Sequence, residues 1–486
     1  MRSRAGSSTW PTHSAVPRSW DRRSGPRDTA TPDATALDWR FERIFVFIAI
    51  HIGLAFAFRF LPLIATVHSL LCLALGLRWL VRDRTPDRVM MMAGYIMSME
   101  ILWRGENAAI FYEYGKYAIC LLLILTMLRF RLLRRSTKWA LLYFALLTPS
   151  ILIMPGFDRE AIAFNLSGPF TLAVATAFFS SQKLYIPQFK KILVAMIAPC
   201  IGLCAMATFF SLSVETFVVH GKAGSAGYPP NQVSSMLGLG GIAAFLYLVL
   251  ERRSLWTRGL MFALMVWTLA QAAVTLSRGG FWAGLMAVGA ASFYLLRERR
   301  GRAVVVVRIG MAAILGAYLI FPFADSLTGG VLSERFRSFD STGRDRIIEG
   351  DIKAFKENPV LGVGPGQARV YHARTFRVSS AHTEYTRMLA EHGSLGALAL
   401  LILFGLCASR ALSSHPLGEK AVVAGLTTWA LLFMIHAAMR LAAPGFVFGL
   451  AAARLFALAP RPSQAVARTP SPARTAPRFP SPADPV

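Results

Sequence analysis

Two arginines and a histidine in the second half of the chain have the types and neighbours needed to handle an anionic leaving group. Arg278 stands in Thr275-Leu276-Ser277-Arg278-Gly279-Gly280, a minimal connection between two long apolar runs. A guanidinium fork matches phosphate oxygens bidentately, and Gly279 and Gly280 allow close backbone approach. The other reading of this residue is an interfacial arginine set against lipid headgroups. Arg344 stands in Asp340-Ser341-Thr342-Gly343-Arg344-Asp345-Arg346, beside a glycine and near the start of a helix expected over Ile347 to Lys356. Free amides at a helix start favour an anion there. Arg346 reads instead as a partner for Asp340, Asp345 or Glu349. His382, in Ala381-His382-Thr383-Glu384-Tyr385, closes a polar stretch at the entrance of a new apolar helix. Imidazole titrates near neutral pH and suits general-base work.

Other polar groups fall on the same set of connections. Asn231, in Gly227-Tyr228-Pro229-Pro230-Asn231, reads as a helix-start cap or as a substrate hydrogen-bond donor. Arg104 and Arg159 read as anion contacts or as interfacial anchors. His436 and Arg440 are four apart, which places them on one helix face, at the same end and against a cavity. Glu113 and Lys116, three apart inside an apolar segment, neutralise each other. The alternating glycines of Asn358-Pro359-Val360-Leu361-Gly362-Val363-Gly364-Pro365-Gly366 read as a rigid turn. No Lys-Ser or Lys-Thr follows them, and Pro365 removes an amide donor.

These residues need a membrane scaffold to position them. Of the 486 residues 55% are hydrophobic, and about fourteen apolar runs of spanning length recur between residues 43 and 460. They lie near 43–59, 61–79, 88–103, 108–128, 139–155, 161–180, 192–213, 233–250, 259–276, 280–296, 303–323, 384–409, 420–437 and 441–459. Unbroken runs such as Leu398 to Phe404 exclude an alternating barrel pattern. The fold class is therefore all-α: a polytopic transmembrane bundle of about 12–14 helices with a partly helical periplasmic subdomain. The expected divisions are a disordered basic cytoplasmic tail at 1–42, helices over 43–324, the periplasmic subdomain at 325–383, further helices over 384–460, and a disordered Pro-rich cytoplasmic tail at 461–486.

Charge supplies the sidedness. The formal +26 sits in short clusters between apolar runs rather than on a soluble domain, so it reports topology and not nucleic-acid binding. With the N-terminus cytoplasmic, every second connection is basic: Arg78 to Arg88, Arg129 to Lys138, Lys183 to Lys191, Arg252 to Arg258, Arg297 to Arg302, and Arg410 to Lys420. The alternate connections, with Arg104, Arg159, Asn231, Arg278 and the 325–381 insert, then face outward. All five cysteines fall in apolar segments, which indicates neither a disulfide framework nor a zinc site.

The order Asn231, Ser277-Arg278-Gly279, Gly343-Arg344, Asn358-Pro359 with Gly362 to Gly366, then His382 with Tyr385, Glu391 and Gly393 resembles the bacterial O-antigen ligase and O-antigen polymerase superfamily. The resemblance runs from about residue 225 to 410. It departs at Thr383, where the family usually has Asn. It implies that Arg278, Arg344 and His382 are catalytic and line an outward cavity. Asn231, Tyr385, Arg104, Arg159 and Arg440 are the expected substrate-binding residues. The implied enzyme is a metal-independent, inverting glycosyltransferase of the inner membrane, without cofactor and with its active site facing the periplasm. It would move a glycan from an undecaprenyl-diphosphate donor to lipid A core. The alternatives are an O-antigen or exopolysaccharide polymerase using the same donor and, less favoured, a polysaccharide transporter.

Overall fold

Backbone amides inside a bilayer have no water to bond, so apolar runs of spanning length satisfy their hydrogen bonds as helices. The computed structural model describes residues 39–132, 137–212, 223–298, 302–337, 343–375, 383–412 and 416–456. The first half provides α1 (Phe41–Phe60), α2 (Pro62–Arg82), α3 (Asp87–Gly105), α4 (Tyr114–Phe130), α5 (Thr137–Ala145), α6 (Arg159–Phe179) and α7 (Ile186–Ser211). Then come α8 (Pro230–Leu250), α9 (Leu255–Val274), α10 (Arg278–Arg297) and α11 (Arg302–Leu315), which a π turn joins to α12 (Phe321–Leu327). The insert adds α13 (Val331–Arg337), α14 (Arg344–Glu357) and α15 (Ala368–Thr375) before α16 (Glu384–Leu412), α17 (Leu417–His436) and α18 (Ala443–Leu450). Among the described residues, ten helices are long and apolar enough to cross a membrane, and the chain is a multi-pass helical membrane protein.

The helices apolar all round are the central ones, as expected when no face meets solvent. α3, α7 and α8 are almost wholly buried, whereas α11 and α12 lie at the periphery with few buried residues. Small residues bring α8 and α10 together: a Cβ on Gly238 would stand 2.6 Å from the Gly280 carbonyl oxygen.

The last apolar run departs from expectation. Its described part, residues 441–456, does not form a span. The eight-residue α18 packs its Gly445 and Gly449 on the α6 backbone near Leu172 and Ala175, then gives way to a strand, Arg454–Phe456. That strand pairs in parallel with Lys183–Tyr185, joining the segment after α18 to the α6–α7 connection. α17 stops at His436, so Arg440 lies in the following loop rather than on the same helix face as His436.

The glycine-rich turn and α16 interlock. Gly393 breaks α16 with φ 60° and ψ −140°, which frees carbonyls of the preceding turn. Val363 and Gly364 donate their amides to the carbonyls of Ala390 and Glu391 at 2.9 and 3.0 Å, and Ser394 donates to Pro359 at 2.7 Å. The 358–366 segment is thus a rigid turn whose amides face a broken helix.

Candidate functional site

Arg278 is the first residue of α10, and Ser277 just before it is held from α8. The Ser277 hydroxyl donates to Asn231 Oδ1 at 2.8 Å, and Ser234 Oγ donates to the Ser277 carbonyl at 2.8 Å. Asn231 therefore spends its side-chain oxygen on the α10 start and does not cap α8, whose N-cap is Pro229. Leu276, two residues before Arg278, has φ 58°, a left-handed conformation of the kind that concentrates at functional sites. The insert reaches this corner through aromatic contact, since the Phe281 and Phe336 rings meet edge to face with centroids 5.5 Å apart. α14 begins three residues earlier than the spacing implied, which makes Arg344 its first residue. Burial and the nearby charges of Arg335 and Arg278 lower the Arg344 guanidinium below its ordinary pKa. Three arginines therefore share one neighbourhood at the insert face.

Seven residues along α14, about 10 Å of helix rise, the buried Asp351 binds two neighbours. Its oxygens meet His372 Nε2 on α15 and Thr386 Oγ1 on α16, both at 2.6 Å. Successive residues at the α16 start then radiate to different elements. Tyr385 donates its hydroxyl to the Leu431 carbonyl on α17 at 2.9 Å and stacks on Phe404, while Thr386 meets α14. Arg387 turns to α6, donating to Asn165 Oδ1 at 3.3 Å and to its carbonyl at 3.1 Å. The same guanidinium holds Glu391 at 2.6 Å and Glu384, and Glu384 accepts the Met439 amide at 3.2 Å. Arg387 thereby joins α6, α16 and the 437–442 loop.

Beside Arg387 opens a cavity of about 680 Å³. Its walls are the 111–117 segment, the start of α6, the 366–372 part of the insert, the α16 start and Ala438 to Arg440. The loop reaches this position because α6 carries Gly168, where a Cβ would stand 2.5 Å from the Met439 carbonyl oxygen. Ala438 also has a positive φ, at 49°. Arg440 lines the cavity with its guanidinium 5.7 Å from the Phe164 ring centroid. Burial and the nearby Arg387 and Arg104 charges lower its pKa. Arg104 stands behind the wall, donating to the Arg440 carbonyl at 2.8 Å and covering Tyr112 at 3.5 Å from the ring centroid.

The expected site residues are thus divided. Arg278, Arg344 and Asn231 gather at the α8–α10 corner, Arg440 lines the cavity, and Arg104 supports it. Arg159 is exposed at the first position of α6 and does not line the cavity. Tyr385 joins α16 to α17. His382 lies outside the described residues, immediately before Thr383 at the α16 entrance. His436 packs away from the cavity, within 2.7 Å of Ser235 Oγ and against Gly279. Arg387 escaped the reading of the sequence, although Glu384-x-x-Arg387-x-x-x-Glu391 is an ion-pair spacing visible in the chain.

The described residues form a multi-pass helical protein with an arginine corner and a charged cavity beside its partly helical insert. Residues 263–401 match the family model described as O-Antigen ligase, which supports the resemblance to the O-antigen ligase and polymerase superfamily over that part of the chain. The matched span contains Arg278, Arg344, the glycine-rich turn and Arg387, but not Arg104, Arg159, Asn231 or Arg440. Comparison with curated proteins gives no significant match.

Proposed function

We propose that this protein is an O-antigen ligase-type glycosyltransferase. It moves a glycan from an undecaprenyl-diphosphate donor to a sugar of lipid A core on the periplasmic face of the inner membrane. The observation that carries the reading is that Arg278 and Arg344 lie near enough to feel each other's charge, both inside the family-matched span. A diphosphate is already a weak base and leaves readily once its charge is neutralised. Two guanidiniums do this bidentately without a metal clamp, and each such contact is worth about 10²–10³ in rate in a preorganised site.

In this mechanism the acceptor hydroxyl attacks the anomeric carbon from the face opposite the diphosphate. The C–O bond to phosphate breaks, and its electron pair leaves on the phosphate oxygen between Arg278 and Arg344. The hydroxyl proton passes to His382 as general base, a step that contributes about 10²–10⁴. Single displacement inverts the anomeric configuration. Arg387 and Asp351 act as positioning residues, because between them they hold the α16 entrance to α6, α14 and α15.

The test is the surface-polysaccharide profile and lipid-linked glycan pool of a deletion strain complemented with wild type, His382→Ala or Arg344→Ala. Wild type restores the polymer, and both variants accumulate donor. Long donor chains identify ligation and single repeats identify polymerisation. A normal profile with His382→Ala refutes the catalytic assignment and favours a transporter.

A further inference from the structure

The cavity beside Arg387 differs in chemistry from the arginine corner. Four carboxylates and three guanidiniums line it, so its formal charge nearly cancels and a diphosphate gains little there. Arg387 is already engaged by Glu384, Glu391 and Asn165, and Arg369 faces Asp158 at 3.6 Å. What remains is a mixture of donors and acceptors, which suits hydroxyl groups because each hydroxyl can do both.

Glu113 adds a specific signal. Only 5% exposed, it places one carboxylate oxygen, Oε2, 2.5 Å from Lys116 Nζ and accepts the Ser167 hydroxyl at 2.9 Å. Its other oxygen, Oε1, is buried with no hydrogen-bond partner in a residue that lines the cavity. A withheld carboxylate oxygen calls for a donor, and a ligand hydroxyl supplies one. Beside it stand two aromatic faces. The Tyr112 and Phe164 rings lie 5.6 Å apart at 33°, backed by Arg104 and Arg440 respectively. Apolar ring faces next to convergent polar groups match the C–H face and hydroxyl edge of a sugar. At about 680 Å³ the space falls within the roughly 300–1,000 Å³ usual for small-molecule sites.

We infer that this cavity is a binding site for the neutral saccharide of the acceptor, separate from the diphosphate corner. Glu113 takes a sugar hydroxyl and the Tyr112–Phe164 pair takes its apolar face. The assignment to the acceptor rests on the transfer reading above. The first turn of α16 contacts α14 and α17 with Thr386 and Tyr385 and the cavity side with Arg387, so it stands between the diphosphate corner and the saccharide site. Donor and acceptor then approach from opposite sides of the first turn of α16.

Saturation-transfer NMR on the detergent-purified full chain tests this, with methyl glucoside and methyl galactoside as probes. Transfer to the sugar C–H protons is expected in wild type and Arg278→Ala. It should fall at least tenfold in Ala163→Trp, which fills the cavity from a half-buried lining position, and in Tyr112→Ala/Phe164→Ala. It should persist when undecaprenyl diphosphate is added. Absence of signal from both sugars in wild type, or full signal in Ala163→Trp, overturns the saccharide site. Displacement of the sugars by undecaprenyl diphosphate overturns the acceptor assignment. If sugar binding behaves as expected while Arg278→Ala still transfers glycan, the saccharide site stands and the arginine role in transfer falls.

Discussion

Gly393→Ala isolates the joint between the insert and the membrane helix. The native φ of 60° and ψ of −140° approach a region that only glycine occupies comfortably, which costs an alanine about 1–3 kcal/mol. The added Cβ would stand 2.5 Å from the Val360 carbonyl oxygen and 2.7 Å from the Gly362 amide. Both are backbone atoms and cannot swing aside. Relief requires the turn to withdraw, with loss of the Val363 and Gly364 hydrogen bonds at about 0.5–1.5 kcal/mol each. Together these terms are on the order of 2–6 kcal/mol. The assay is thermal unfolding of the purified protein in detergent, with Gly405→Ala as the internal control. Gly405 lies on the same helix, and a Cβ there meets nothing within 4 Å, so its replacement leaves the midpoint unchanged or slightly raised. Gly393→Ala should lower the midpoint by several degrees. Equal midpoints for the two variants would refute the account of the turn as an amide clamp on a broken helix.

Arg278→Ala and Arg344→Ala should each reduce glycan transfer by about 10²–10³, with the lysine variants intermediate because charge survives but the bidentate fork does not; timed donor consumption in membranes measures this. Arg387→Met leaves Glu384 and Glu391 buried without their cation and should cost about 3–5 kcal/mol. Adding Glu384→Gln and Glu391→Gln should recover part of the lost unfolding midpoint, and no recovery would mean that charge is not the cause. Gly168→Ala pushes the Met439 backbone off α6, and sugar binding should weaken more than the unfolding midpoint falls. Tyr228→Phe removes the hydroxyl that Glu106 holds and should cost about 1.5–3 kcal/mol. Faster limited proteolysis near Gly227 is the readout.

The helices were legible because a bilayer imposes length and apolarity, and both are written locally in the chain. The Glu113–Lys116 pair was legible for a similar reason, since a spacing of three fixes proximity on or beside a helix. The cavity was not. It depends on Gly168 meeting Met439 across more than two hundred residues, and no local pattern records that meeting. The 441–459 run has the apolarity of a span, but packing of Gly445 and Gly449 on α6 and pairing of Arg454–Phe456 end its helix early. Arg387 was hidden differently. Its ion-pair spacing was present, but such a spacing suggests a solvated helix face, and only tertiary contact shows the group buried with three partner residues.

The order in which the chain is made gives the 437–442 loop a further meaning. This loop forms one wall of the cavity, supplies the amide that Glu384 accepts, and precedes the strand that joins residues 183–185. Everything it contacts has been synthesised before it. The earlier helices can enter the bilayer with their carboxylates and arginines in place, but the pocket has no floor until the final segment arrives. A chain released before residue 438 would hold Arg278, Arg344 and Arg387 and still lack that wall of the cavity.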